Sequence, residues 1–422
     1  MSKAYKELER KIAVFRDILE IYIQPMMHGA VMSGPFTDAI RPFSGVVYDT
    51  QHRIKIFVTE SERIYFIFQR RLPFGAGEKN LIEDIIVRLR KMNVQDSVSD
   101  YACVLEAMDR VISSHINRDH SDLVFSLIQM YRTWAGRICE EAHPVHTTGI
   151  YFNRQKPTGC NIFTMFDEGL IRTVGSTDKT FLTVDRNGYV QSVENMMPTA
   201  VQIKKQQDVL APVSLADIAV WTDYRSKAAI RLTEKGDILL FRDRKLVFAW
   251  IFSQWRYFPH DAILDEIFSE DISQEEKEVR KAVYLTSLDV AFNGRGARIG
   301  ILDDPERKQK RLKRIHSRYR LSSDMQAEKN SLLSTILGAR KFHEIPRRIR
   351  AELCLLDGVL ILGRQGDVFA GSKGPQKNKA STVAKAHPLS VASRKNHDLG
   401  IRISEIGYME IYKNSDIPLA FA

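Results

Sequence analysis

The sequence predicts a mixed α/β (α+β) fold: a helical N-terminal region, a strand-rich middle, and a mixed sheet with flanking helices at the C-terminus. Three observations predict it. Residues 1–142 carry apolar side chains mostly at helical spacing. Beyond residue 143, short alternating apolar runs are broken by glycine-containing turns. The last third has the order helix, strand, loop, helix, hairpin, helix, hairpin. The expected domains are 1–142 (mostly helical, with a β-hairpin), 143–272 (strand-rich) and 273–422 (mixed).

The elements follow in order. Leu8, Ile12, Phe15, Leu19 and Tyr22 form one helical stripe over residues 6–23, which Pro25 ends. Residues 44–58 and 61–69 then read as two strands rich in aromatic and β-branched residues. Helices are expected over 80–91, 99–115 and 120–141. In the last of these, Leu123, Leu127, Tyr131, Trp134 and Ile138 recur at helical spacing and read as packing residues.

In the middle, Thr180 to Glu194 reads as strand, Arg186-Asn187-Gly188 turn, strand. Asn-Gly is a strong hairpin signal because both residues accept positive φ. The same strand–turn–strand form recurs over 228–250, 355–370 and 400–413. The irregular spacing of these copies argues for a shared hairpin design and against a solenoid repeat. Ser273 reads as a helix N-cap with Glu276 three residues on. That helix closes at Asn293-Gly294, the strand Ala297–Leu302 follows, and a further helix is expected over 330–350.

The 422 residues are 44% hydrophobic and 27% charged, which suits packed globular domains more than a disordered chain. The formal net charge of +10 favours polyanionic partners. It is concentrated between Arg307 and Arg320, where Lys310, Arg311, Lys313 and Arg314 stand with no acidic residue among them. That run reads either as a solvated loop or as a contact for nucleotide or nucleic-acid phosphates. Cys103, Cys139, Cys160 and Cys354 form no CxxC pair and read as buried thiols of a reducing compartment. The charged start lacks an apolar leader core, and no run of about 18 apolar residues exists. A cytoplasmic protein without a membrane partner is expected.

Most local motifs are weak. Gly294-Arg295-Gly296 lacks the GxGxxG form and reads as a tight turn. His143, His146, Glu140 and Glu141 are close in sequence, but Pro144 breaks the helix that would align them on a metal.

Three ordered segments carry more information: Lys281–Asp304, Ile345–Gly371 and Ser381–Lys413. Together they resemble the diadenylate cyclase domain and its sensor-like relatives over about a third of the chain. The middle segment carries Asp357-Gly358-Val359, similar to that family's DGA motif. The resemblance implies that Asp357 holds a divalent ion and that Asp357, Gly358, Thr382, Lys385, His387 and Glu405 bind nucleotide. It implies no resident cofactor beyond the Mg or Mn that accompanies a bound nucleotide.

The family's basic RHR motif is degraded here. Counting back from Ser404-Glu405 places Lys385-Ala386-His387 at that position, and an alternative register places Arg394-Lys395-Asn396 there. Lysine cannot form the bidentate phosphate fork of arginine.

The expected function is therefore a cytosolic nucleotide or second-messenger sensor, in a bacterial defence or stress system, acting through an effector protein. Two alternatives stand beside it. An active diadenylate cyclase or nucleotidyltransferase would use Asp357 as a catalytic metal ligand and would need a homodimer or a paired domain. A basic nucleic-acid-binding protein would use the 307–320 cluster, in which Tyr319 is the only aromatic residue.

Overall fold

The structure is a computed structural model that describes residues 3–37, 45–58, 63–92, 98–136, 145–156, 158–167, 180–195, 206–268, 271–302, 335, 338, 340–357, 359–371, 399–405, 407–413 and 420–421. The mixed α/β class is borne out: the described strands form three sheets, accompanied by helices throughout. The chain divides into two compact units, Met1–Leu210 with Leu215–Pro259, and Ala211–Ser214 with His260–Ala422. The residue-143 boundary expected from sequence falls inside the first unit, and the one at residue 273 falls inside the second. Among the described residues no helix is long and apolar enough to cross a membrane.

Unit 1 opens with α1 (Lys3–Ile18), extended by a π-helical turn (Leu19–Ile23) and a 3-10 turn (Gln24–Met26). Val14, Ile18, Leu19 and Met26 are buried. Strands β1 (Val31–Thr37), β2 (Val46–Thr50), β3 (Arg53–Phe57) and β4 (Ile64–Gln69) form an antiparallel sheet of order β1-β4-β3-β2. The run 44–58, expected as one strand, is a hairpin turning at Gln51-His52. Helices α2 (Ala76–Arg90), α3 (Val98–Ile116) and α4 (Ser121–Gly136) match three of the expected helices. On α4, Leu123, Leu127, Tyr131 and Trp134 are buried, as their spacing requires; Ile138 lies outside the described residues.

The second sheet of unit 1 contains β5 (His146–Tyr151), β6 (Thr180–Asp185), β7 (Val190–Asn195), β8 (Lys227–Leu232), β9 (Ile238–Arg242), β10 (Lys245–Ile251) and β11 (Gln254–Tyr257). Helix α5 (Ile162–Asp167) lies between β5 and β6 in the chain, and α6 (Ala216–Trp221) between β7 and β8. The order is β11-β10-β9-β8-β5-β6-β7, with β5 and β6 parallel and all other neighbours antiparallel.

Unit 2 begins with α7 (His260–Ile267) and α8 (Gln274–Phe292). Ser273 caps α8 as expected, its Oγ accepting from the Glu276 amide at 3.1 Å. Strand β12 (Ala297–Leu302), helix α9 (Arg347–Asp357), and strands β13 (Val359–Gly363), β14 (Val368–Gly371), β15 (Leu399–Ile403), β16 (Met409–Lys413) and β17 (Ala420–Phe421) follow. The helix expected over 330–350 is not continuous: Thr335 is helical, Phe342–Glu344 is a 3-10 turn, and α9 starts at Arg347. Pro346 sets that start, since proline suits a first helical turn and not an interior. Leu355, Leu356 and Asp357, expected as strand, close this helix.

The two larger sheets follow one plan. Each has a central strand, β5 or β12, with a parallel neighbour on one side and an antiparallel neighbour on the other. The register is the same. Gly149 pairs with Thr183 and with Ala229, while Gly300 pairs with Ile361 and with Gly400. One irregularity falls at the same step of each first hairpin, between Thr183 and Val184 and between Ile361 and Leu362.

Aligned this way, Leu182–Val190 (LTVDRNGYV) matches Leu360–Val368 (LILGRQGDV), and Arg231–Ile238 (RLTEKGDI) matches Arg402–Met409 (RISEIGYM). The four hairpins are thus two pairs, first with third and second with fourth. Their irregular spacing arises because the segments between hairpins differ in length. The hairpins thus share a design in matched pairs, and two such pairs do not make a solenoid.

Candidate functional site

Of the sequence-predicted nucleotide-site residues, the structure describes the backbone of Asp357 and of Glu405, and both lie at one edge of the unit 2 sheet. Helix α9 ends at Asp357, two residues before Val359, the first residue of β13. Val359 pairs with Arg298 of β12, and Arg298 pairs on its other side with Arg402 of β15. Strand β15 ends at Ile403, and Glu405 follows in the turn to β16. Asp357 and Glu405 therefore sit on the same sheet edge, on either side of β12. Two strand spacings separate β13 from β15, about 10 Å.

Between them the chain enters β12 through Gly296. A Cβ there would stand 3.3 Å from Glu405 Cγ and 3.5 Å from the Ile403 carbonyl oxygen. Glycine keeps this stretch of the edge clear. The Gly294-Arg295-Gly296 motif is a turn, as expected: Gly294 has φ +64° and follows the C-cap Asn293 of α8.

A buried ion pair joins the helices behind this edge. Arg347, the first residue of α9, is fully buried. Its Nε donates to Asp289 Oδ2 and its Nη2 to Asp289 Oδ1, both at 2.7 Å, and Nη2 also donates to the carbonyls of Ala211 and Leu285. The Val213 amide donates to Asp289 Oδ1 at 2.7 Å. This fork ties the start of α9 to α8 by hydrogen bonds as well as by packing. Burial pushes the Asp289 carboxyl up, and the Arg347 guanidinium opposes that rise.

Gly358, Thr382, Lys385, His387, the alternative Arg394-Lys395-Asn396, and the basic residues Lys310, Arg311, Lys313 and Arg314 lie outside the described residues. The side chain of Asp357 does too. Among the described residues no three His, Cys, Asp or Glu side chains converge on a metal site. His146 is fully buried with Nδ1 2.8 Å from the Tyr131 hydroxyl, a packing arrangement in the core of unit 1. The expectation that the cysteines are buried is corrected for two of them. Cys103 and Cys160 are exposed, while Cys354 is buried and its thiol is pushed up by burial.

One constellation escaped the sequence reading. At the carboxyl end of β5 and the start of β8, Tyr151, Trp221 and Lys227 meet. The Tyr151 hydroxyl donates to Glu194 Oε1 at 2.8 Å and Trp221 Nε1 donates to Glu194 Oε2 at 2.7 Å. The Lys227 ammonium lies 4.6 Å from the Trp221 ring centroid, 5.1 Å from that of Tyr151 and 5.4 Å from that of Tyr224. The Arg154 guanidinium lies 3.6 Å from the Tyr151 centroid. Gly149 makes room for this: a Cβ there would stand 2.7 Å from both Phe181 and Trp221. No linear motif announces the group, because its members come from four separate stretches of chain.

Compared with known protein families the chain matches no family model, and compared with individual characterised proteins it matches none.

Proposed function

We propose that unit 2 binds a nucleotide or a nucleotide-derived second messenger at the edge marked by Asp357 and Glu405, and that the protein is a cytoplasmic sensor of the diadenylate-cyclase-like type. The observation that carries this reading is the placement of Asp357. An acidic residue at the last position of a helix sits against the negative end of the helix dipole, at a cost of about 0.3–1 kcal/mol. With Glu405 exposed on the same edge, the site concentrates negative potential where it favours a cation. Asp357, with Glu405 two strands away on the same edge, would hold the Mg²⁺ or Mn²⁺ of a metal–nucleotide complex, whose charge offsets that of the phosphates. Gly296 leaves backbone open for the ligand's approach.

The loss of both arginines from the RHR position supports sensing over synthesis. A lysine and a histidine can hold phosphate, but they lack the paired forks that would stabilise charge at a reacting phosphoryl group.

Titration calorimetry of the whole chain with ATP, linear dinucleotides and cyclic dinucleotides, with Mg²⁺ present, tests the proposal. One of these ligands is expected to bind, and Asp357→Asn is expected to weaken it about tenfold or more. No binding at about 1 mM would sink the reading. Incubation with labelled ATP and Mn²⁺ is expected to yield no dinucleotide; product that vanishes in Asp357→Asn would favour the cyclase instead.

A further inference from the structure

The common plan of the two sheets allows their edges to be compared residue by residue. At the carboxyl ends of the parallel pair, unit 1 has Tyr151 opposite Asp185, and unit 2 has Leu302 opposite Gly363. The plan itself demands neither an aromatic nor a charged group there. In unit 1 this edge carries Tyr151, Arg154, Trp221, Tyr224 and Lys227. In open sheets with parallel strands, the carboxyl ends of those strands are where ligands bind.

We infer that this edge of unit 1 is a binding site for a phosphorylated aromatic compound of nucleoside-monophosphate type, separate from the site proposed in unit 2. Three features support it. The first is a pair of cations, Arg154 and Lys227, with no carboxylate within 4.0 Å among the described residues, though Glu194 and Asp223 act on Lys227 from farther away. Of the nearby carboxylates, Glu194 spends both oxygens on Tyr151 and Trp221, so it holds the rings in place and leaves the cations their donors. The second is ring surface: Tyr224 is 65% exposed and Trp221 is half-buried beside it, which gives a planar base an aromatic face.

The third feature is a fixed wall. Asp185 accepts from the amides of Lys156 at 2.5 Å, Asn187 at 2.9 Å and Tyr189 at 2.9 Å. These bonds pin the segment that carries Arg154 against the β6–β7 turn. Gly363 has no side chain to do this in unit 2. A planar guanidinium and an ammonium on one edge suit a phosphoryl group, which accepts from both. Burial lowers the Lys227 ammonium from its ordinary range, consistent with a cation held partly out of water.

The test uses the full chain and adenosine 5′-monophosphate as probe, with adenosine and inorganic phosphate as controls, read by calorimetry. Saturable binding of the monophosphate is expected, with each control at least about tenfold weaker. Arg154→Met and Lys227→Met are each expected to weaken the monophosphate about tenfold or more, the range for a charged hydrogen bond. Arg154 is exposed, so Arg154→Met keeps the test sound if Lys227→Met perturbs folding. Asp357→Asn is expected to leave this binding unchanged, so failure here and failure of the unit 2 site are told apart. Equal affinity in wild type and Arg154→Met, inorganic phosphate binding as tightly as the monophosphate, or loss of binding in Asp357→Asn would each overturn the inference.

Discussion

Gly188 and Gly366 occupy the same position of the same turn in two different units. Their φ angles are +83° and +87°, and each donates its amide three residues back, to the carbonyl of Asp185 at 3.1 Å and of Gly363 at 3.0 Å. The residue after each glycine closes the turn with its carbonyl, Tyr189 accepting from Asp185 and Asp367 from Gly363. Left-handed backbone favours glycine at both places.

The two sites should differ in their tolerance of a methyl group. A Cβ at Gly188 would stand 3.3 Å from Phe163 and 3.4 Å from Asn161, side chains that can yield. A Cβ at Gly366 would stand 2.9 Å from His343 Nδ1, 3.1 Å from Val279 and 3.3 Å from the Phe342 amide nitrogen. Both variants lose about 1–2 kcal/mol to the left-handed conformation, and Gly366→Ala loses about 1–3 kcal/mol more to overpacking. Urea unfolding should rank Gly366→Ala as the more damaging.

Thr233 and Ser404 form a second matched pair. Thr233 Oγ1 accepts from the Asp237 amide at 3.1 Å, and Ser404 Oγ from the Tyr408 amide at 2.9 Å. Thr233→Ala and Ser404→Ala should each cost about 1 kcal/mol, the usual net value of one such bond. Denaturant midpoints measure it. A cost at one site alone would separate the two turns energetically.

The Asp289–Arg347 fork should be unforgiving. Removing one partner strands a buried charge, at about 3–5 kcal/mol. Arg347→Met and Asp289→Leu should each destabilise strongly, and the double variant less than their sum. A double-mutant cycle on thermal unfolding checks the sign of the coupling.

Asp109 supplies a pH dependence. It is fully buried, receives Trp255 Nε1 and Gln129 Nε2, and pairs with Arg132 at 2.7 Å. Burial outweighs these partners and pushes its carboxyl up to about 6. A raised folded-state value means that its contribution to stability is fully present below the unfolded value and is lost as pH rises through about 6. The gap in Tm between wild type and Asp109→Asn should therefore shift against the wild type between about pH 4 and pH 7.

Much of this architecture was legible because it rests on local rules. Ser273 with Glu276 announced the start of α8, and Asn187-Gly188 announced the first hairpin of unit 1. Other turns were hidden because the residues in them give no signal. The turns at Asp243-Arg244 and Phe252-Ser253 take positive φ without a glycine, with values of +50° to +63°. One expected run thus proved to hold β8, β9 and most of β10. Strand β1 was invisible because Gly34 and Pro35 interrupt it and most of it is exposed, so no apolar alternation marks it.

At the candidate site, Asp357 and Glu405 were legible as motif residues. The Tyr151–Trp221–Lys227 group was not, because only the pairing of β5 with β8 brings it together. Which hairpin matches which was likewise hidden, since the matched stretches are short and the segments between them differ in length.

The central claim is that a nucleotide-type ligand binds at the edge of unit 2 that carries Asp357 and Glu405. Hydrogen–deuterium exchange of the full chain, with and without a saturating ligand from the calorimetric panel, tests it most directly. The account predicts slowed exchange over Arg347–Gly363 and Leu399–Lys413, and loss of that slowing in Asp357→Asn. Binding that leaves exchange in both segments unchanged would contradict it.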